Sequence, residues 1–396
     1  MKKSVVKQKI DLIAECVFSK TLYKIEEDFG LYSGQFGILL FLLYYSRYTQ
    51  NEKHIILTEN YAEKLLQHFV KKREIHTFCS GISGILYLFE FLREKDIIDF
   101  DISKVQSILE NSIIYNMRLD MHRSQYDFMH AALGVGFYFL KRKTNTEYIQ
   151  ELVDFLYLIA EKDFKNKIFK WMSVIDHERK IVGYNLALSH GISSIVIFLV
   201  RCVRNGLIND KIMEMLTGAV NFVLSNQMDF TQYGSSFPSY VFKDLPKSIS
   251  KSRLGWCYGD LGTGIALWQA GKASGQTEWG KRGIEALIHS TYRRNLNETM
   301  INDAGICHGS AGVAMIFRRM FLETGHYEFE NAIQFWIKQT LDFSMFEDGL
   351  VGYKTLIKQE WECDYSLLTG ISGIGLMLLT YLSEIPFDWD ELFLLK

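Results

Sequence analysis

Very apolar stretches recur along this chain, and each follows a short turn of small residues. ILLFLLYY, ILYLFEFL, VGFYFL, IVIFLVRC, IALWQA, VAMIFRRM and IGLMLLTYL are apolar on nearly every side. That is the pattern of helices buried all round. Amphipathic stretches lie between them. Ile212, Met215, Leu216, Ala219, Val220 and Val223 fall at i, i+3, i+4, i+7, i+8 and i+11, and Ile102, Val105, Ile108, Leu109 and Ile113 follow much the same spacing. Such spacing turns one apolar face inward and leaves a polar face in solvent. The pattern predicts an inner apolar helix alternating with an outer amphipathic one.

The turns form a repeat. Their first small residues are Gly34, Gly81, Ala131, Gly191, Gly259, Gly309 and Gly370, and a second small residue follows three positions later, at Gly37, Gly84, Gly134, Ser194, Gly262, Gly312 and Gly373. Small residues at a helix start let neighbouring helices approach closely. An open solenoid needs polar capping repeats at its ends, and the last inner segment is as apolar as the others. The chain is therefore expected to be all-α: an α/α toroid, or double-layered barrel, of seven helix hairpins over about residues 33–382, in a single domain spanning 1–396. If each turn opens an inner helix, all seven turns lie at one end, and residues beside them face a common mouth.

Two intervals are long. Residues 164–189 alternate and carry the turn signal Asp176-His177-Glu178-Arg179, which predicts a hairpin. Residues 226–255 hold two of the three prolines and read as a loop. Proline, at 3 in 396 residues, is scarce enough to favour helix throughout, because it costs ~3 kcal/mol in a helix interior. The net charge of −2 supplies no basic excess for phosphate-dominated nucleic-acid binding. No apolar run approaches the ~18 residues needed to span a bilayer, and the first residues lack the apolar core of a signal peptide. Six cysteines are too sparse for a disulfide framework. The expectation is a cytoplasmic protein with reduced thiols.

Reduced thiols near histidines raise the question of metal. Cys257 stands in the fifth turn, Trp256-Cys257-Tyr258-Gly259, and Cys307-His308 in the sixth, before Gly309. Two thiolates and an imidazole suit zinc and leave the fourth tetrahedral position open, the mark of a catalytic site. A cysteine before a helix is more often a small buried hydrophobe, and Cys16, Cys202 and Cys363 are read so. Cys257, Cys307 and His308 differ because the repeat places all three at one rim. The same mouth collects His190 in the fourth turn, Asp127 in the third, and Arg253 four residues before Cys257. His130 and Cys79 also lie at turns, and a functional role is not assigned to either.

Trp256-Cys257-Tyr258-Gly259-x-x-Gly262 and Cys307-His308-Gly309-x-x-Gly312, with Ser189-His190-Gly191 and the repeat itself, resemble the lanthionine synthetase C-like family. The resemblance covers nearly the whole chain, departing from the usual glycines at Ala131 and Ser194. It implies an α/α toroid of seven helix pairs, often with a small β appendage. It further implies one zinc ion held by Cys257, Cys307 and His308, with Asp127, His190 and Arg253 at the other active-site positions. The implied activity is thioether ring formation in a dehydrated precursor peptide by Michael-type addition of Cys thiolates to dehydroalanine or dehydrobutyrine. The family also suggests a dehydratase and an ABC exporter as partners, gathered at the inner face of the membrane. Two other readings stand beside it: a prenyltransferase-like zinc toroid, and a non-enzymatic scaffold that binds thiols or peptides.

Overall fold

The computed structural model describes residues 2–23, 26–69, 75–98, 103–176, 178–243, 251–383 and 387–396. Among them are sixteen α-helices and seven short strands. The first half of the chain contains α1 (Lys3–Tyr23), α2 (Gln35–Thr49), α3 (Glu52–Phe69), α4 (Ile82–Glu94), α5 (Ser103–His122), α6 (Ala132–Arg142) and α7 (Thr146–Ile159). Four strands follow: β1 (Glu161–Asp163), β2 (Ile168–Lys170), β3 (Ser173–Asp176) and β4 (Ile181–Asn185). Next come α8 (Ile192–Arg204), α9 (Asp210–Ser225), α10 (Phe230–Tyr233), β5 (Tyr240–Phe242), α11 (Asp260–Ser274), α12 (Thr277–Thr291) and α13 (Leu296–Thr299). The chain ends with α14 (Ser310–Thr324), α15 (Tyr327–Asp342), β6 (Thr355–Ile357), β7 (Glu360–Glu362), α16 (Ile371–Leu382) and a 3-10 turn, Trp389–Phe393.

The predicted inner helices are α2, α4, α6, α8, α11, α14 and α16. From Gln35 to Leu42, and from Ile192 to Cys202, every residue is buried, and each fully buried Leu, Ile or Phe contributes ~1.5–3 kcal/mol. Outer helices bury one stripe. In α9 the six apolar residues of the predicted face are all buried. In α5 the face differs from the expectation: Ile108 is exposed, and burial follows Gln106, Ile113, Ile114 and Met117. Ile102 lies outside the described residues, and the side chain of Val105 is not described either.

Close backbone approach explains the paired small residues. A Cβ at Gly312 would stand 1.8 Å from the Ile306 carbonyl oxygen, and one at Gly84 would stand 1.9 Å from that of Phe78. The carbonyl in each case belongs to a fully buried residue six positions back, a place filled elsewhere by Leu31, Leu188, Trp256 and Leu367. The turn thus folds over its own buried anchor, and at these glycines a Cβ would collide with it. Ser194 meets its turn differently, donating its hydroxyl to the Gly191 carbonyl at 2.7 Å.

The chain divides into two compact units. One comprises Met1–Ile113 and Asn302–Phe393. In it α14 packs on α16, α16 on α2, and α1 on α16. Its turns are joined edge to edge: Ile306 N–H donates to the Leu368 carbonyl, Leu368 N–H to Tyr32, and Tyr32 N–H to Cys79, all at 2.9 Å. The first and last inner helices are therefore neighbours. The N-terminal helix α1 serves as the outer partner of α16, and it buries Val6, Ile10, Ile13, Ala14 and Val17. The 3-10 turn is buried here as well, with Tyr32 stacked on Phe393 and Arg319 paired with Asp390.

The other unit comprises Ile114–Ile301 and Leu394–Lys396. In it α6 packs on α8, α8 on α11, and α11 on α12. The predicted hairpin region resolves into two: β1 pairs with β2, and β3 with β4, both antiparallel. Arg179 N–H donates to the Asp176 carboxylate across the second turn, while His177 lies outside the described residues. The segment read as a loop contains α10 and β5, and β5 joins β4 to complete a three-stranded sheet, β3-β4-β5. Two predicted burials do not hold: Cys363 is exposed, because it follows β7 on a surface hairpin, and Cys16 on α1 is only half-buried, beside Tyr365. Cys202 is fully buried on α8.

Candidate active site and metal centre

The fifth turn carries Cys257 two residues before Gly259, the N-cap of α11, whose φ of +89° strongly favours glycine. The sixth carries Cys307 and His308 immediately before Gly309, the N-cap of α14. The sulfurs of Cys257 and Cys307 and a ring nitrogen of His308 all lie within 4.8 Å of one another. Among the described residues this is the one group of three or more His, Cys, Asp or Glu side chains close enough to hold a metal ion. Zinc–sulfur bonds of ~2.3 Å in a tetrahedron set ligand separations of ~3.8 Å, which fits inside that spread. The donor chemistry and the spacing both suit zinc.

His190 precedes Gly191, the N-cap of α8. Its Nδ1 stands 2.7 Å from Oδ2 of Asp127, while Oδ1 of Asp127 accepts the backbone N–H of His130 at 2.8 Å. Both His190 and Asp127 are about a quarter exposed, 26% and 27%, so they are held in place and still reachable. Burial alone would push the His190 pKa down, but the Asp127 hydrogen bond and charge, with the nearby Cys257 thiolate, raise it above the ordinary histidine value. His130 lies beside this pair. The residue is exposed, and its ring stacks on His190 with centroids 5.5 Å apart. Cys79 is buried.

Tyr258, next to Cys257, has its ring 6.2 Å from His190 and 5.4 Å from Tyr240 of β5. Its hydroxyl bonds with Tyr240 and Asn185, and burial holds it protonated far above neutrality. Asn185 and Tyr240 are register partners across β4 and β5, so the small sheet supplies two polar side chains to this cluster. Arg253 donates to the Met300 carbonyl at 2.8 Å, and its positive charge acts on Tyr240. Its Nε is buried without a partner.

The roles of Tyr240, Asn185 and Asp303 are not apparent from the sequence pattern alone. A signal for two of them is present six residues before the first small residue of four of the seven turns, where Asp28, Asn185, Asp303 and Asp364 stand. Each accepts the N–H two residues on, from Gly30, Ala187, Gly305 and Ser366 at 2.7–3.0 Å. That is the ordinary turn chemistry of Asp and Asn. Arg253 holds the corresponding place in the fifth turn, as Ile75 and Gln125 do in the second and third. Asp303 is 2% exposed. Its Oδ2 lies 3.5 Å from His308 Nε2 and also accepts the Thr355 hydroxyl at 3.2 Å and the Leu356 N–H at 3.3 Å.

Helix hairpins opening on a shared type of glycine turn, with a Cys-Cys-His donor group and a His–Asp pair at those turns, define a helical-repeat protein with a metal-type centre. The model of the lanthionine synthetase C-like protein family matches residues 26–394, and the chain belongs to that family. Its structure is similar to that of a nisin cyclase, with a TM-score of 0.77 at 18% sequence identity, over 100% of this chain and 98% of the other. The fold is accordingly the α/α toroid with a small β appendage. Among the described residues no helix is long and apolar enough to cross a membrane.

Proposed function

We propose that this protein is a zinc-dependent lanthipeptide cyclase acting as one domain, with one zinc ion per chain held by Cys257, Cys307 and His308. Its substrate is a dehydrated precursor peptide, in which it joins a Cys sulfur to the β-carbon of dehydroalanine or dehydrobutyrine. The observation that carries this reading is the Cys-Cys-His donor group in a chain whose Asp127–His190 pair feels the charge of Cys257. Zinc bound there supplies a lowered thiol pKa, so that the substrate sulfur reacts as thiolate.

The protein's own residues then handle one proton. Asp127 holds His190 through Nδ1, which leaves Nε2 as the working nitrogen. Nε2 takes the proton released by the substrate thiol. The sulfur lone pair forms the S–Cβ bond, and the π electrons of the dehydro residue move to give an enolate. The His190 proton passes to the α-carbon, and the imidazole is neutral again. Atoms and charge balance, and the peptide mass is unchanged. The enolate oxygen needs hydrogen-bond donors. Tyr258, kept protonated by burial, and Arg253 are the candidates. The substrate already carries its alkene, so a dehydratase must act first.

Ring closure is measured by counting free thiols through alkylation. Incubation with dehydrated precursor should remove one thiol for each ring formed at constant mass, and product stereochemistry should differ from that of uncatalysed closure. If thiol loss and stereochemistry match those of a no-enzyme control, the cyclase reading fails and a thiol- or peptide-binding scaffold replaces it.

A further inference from the structure

Resting on the metal reading above, we propose that Asp303 is a positioning residue that fixes His308 as an Nδ1 metal ligand and ties the β6–β7 hairpin to the same carboxylate.

Three observations carry this. Oδ1 of Asp303 performs the turn role shared with Asp28, Asn185 and Asp364 by accepting the Gly305 N–H at 3.0 Å. Its other oxygen performs a different one, standing 3.5 Å from Nε2 of His308. An imidazole whose Nε2–H points at a carboxylate presents Nδ1 to a metal, and carboxylate–histidine pairing of this kind fixes the tautomer and raises ligand basicity. Second, Gly309 is shaped around this carboxylate: a Cβ there would meet Asp303 Oδ1 at 2.4 Å and Gly305 N at 2.3 Å. The glycine after Cys307-His308 therefore admits Asp303 as well as starting a helix. Third, Oδ2 is shared with Thr355 and Leu356 at the start of β6. The strand thereby fixes the oxygen that faces His308.

The test uses the full-length chain loaded with zinc. Ring-15N NMR of histidine-labelled wild type should report His308 with Nδ1 on the metal and Nε2 protonated. Chelator competition should show Asp303→Asn binding zinc ~10–100-fold more weakly. Asp364→Asn, which removes the corresponding turn carboxylate in the seventh repeat, should bind zinc like wild type and so separates turn damage from ligand positioning. Nε2 found on the metal, or Asp303→Asn retaining wild-type affinity, overturns this inference and leaves the cyclase reading standing. Equal loss of affinity in Asp364→Asn also overturns it. Should Asp303→Asn fail to fold, the wild-type NMR measurement decides alone. A wild type that binds no zinc overturns both readings together.

Discussion

Asp127 Oδ2 and His190 Nδ1 stand 2.7 Å apart, although 63 residues separate them in the chain. The pairing fixes which imidazole nitrogen is free to work and biases the ring toward its charged form. In Asp127→Asn the stabilising charge is gone while a hydrogen-bonding side chain remains. The His190 pKa is then expected to fall from its raised value, because burial acts unopposed except by Cys257. Activity that needs protonated His190 should lose its alkaline limb at lower pH than in wild type. An NMR titration of the His190 ring in both proteins checks the direction, and an unchanged pKa would remove Asp127 from this role.

The buried Asp260–Arg293 pair underlies the fifth turn. Asp260 is fully buried and accepts the N–H groups of Ser236 and Phe237 as well as Arg293 at 3.2 Å, while Arg293 also donates to the Ser252 carbonyl. Ser252 N–H in turn donates to the Ser235 hydroxyl. Ser236, Phe237 and Ser252 are thereby tied to one buried ion pair. Removing one partner of a buried pair leaves an uncompensated charge and costs ~3–5 kcal/mol. Arg293→Met is expected to lose stability on that scale in denaturant unfolding. A loss under ~1 kcal/mol would mean the pair is no stronger than a surface one.

Gly312 sits where a Cβ would lie 1.8 Å from backbone oxygen, so Gly312→Ala must move either the turn or α14. Overpacking of this kind costs ~1–3 kcal/mol, occasionally more. The comparison is Gly325→Ala at the C-terminal end of the same helix. There φ is +71° but nothing lies within 4 Å, and only the ~1–2 kcal/mol strain of the left-handed conformation applies. Unfolding midpoints of the two variants should place Gly312→Ala below Gly325→Ala, and it should lose zinc affinity as well, since Cys307 and His308 lie in its turn.

Much of this architecture was legible in the sequence because the inner helices are buried on every side, which leaves them apolar without any period to misjudge. The grouping of Cys257, Cys307 and His308 was legible because the repeat assigned them neighbouring places in successive turns. Other features were hidden by the same regularity. Asp303 occupies a position at which Asp28 and Asp364 simply build turns, so its residue type carries no distinguishing mark. Tyr240 reaches the cluster from a three-residue strand inside a segment that reads as loop. The outer partner of α16 is α1, at the opposite end of the chain, a pairing that local periodicity does not specify. Ile108 fits the helical spacing of α5 and is nonetheless exposed, because the buried stripe runs through Gln106 and Met117 instead.

Metal binding and proton transfer should separate cleanly by mutation. His190 lies outside the Cys257–Cys307–His308 group, is anchored by Asp127, and is part-exposed. It has what a proton carrier requires and makes no contribution to the donor set. His190→Asn is therefore expected to keep one zinc ion per chain by elemental analysis while ring formation slows by ~10²–10⁴, the usual worth of general acid–base catalysis. Cys307→Ala and Cys257→Ala should do the reverse to the metal, lowering zinc content along with activity. Stereochemistry adds an independent readout, since uncatalysed addition protonates the enolate from either face. Products formed by His190→Asn should drift toward the uncatalysed mixture even where thiol loss is detectable. Loss of zinc from His190→Asn would make His190 a ligand, and full zinc retention in both cysteine variants would place the metal elsewhere.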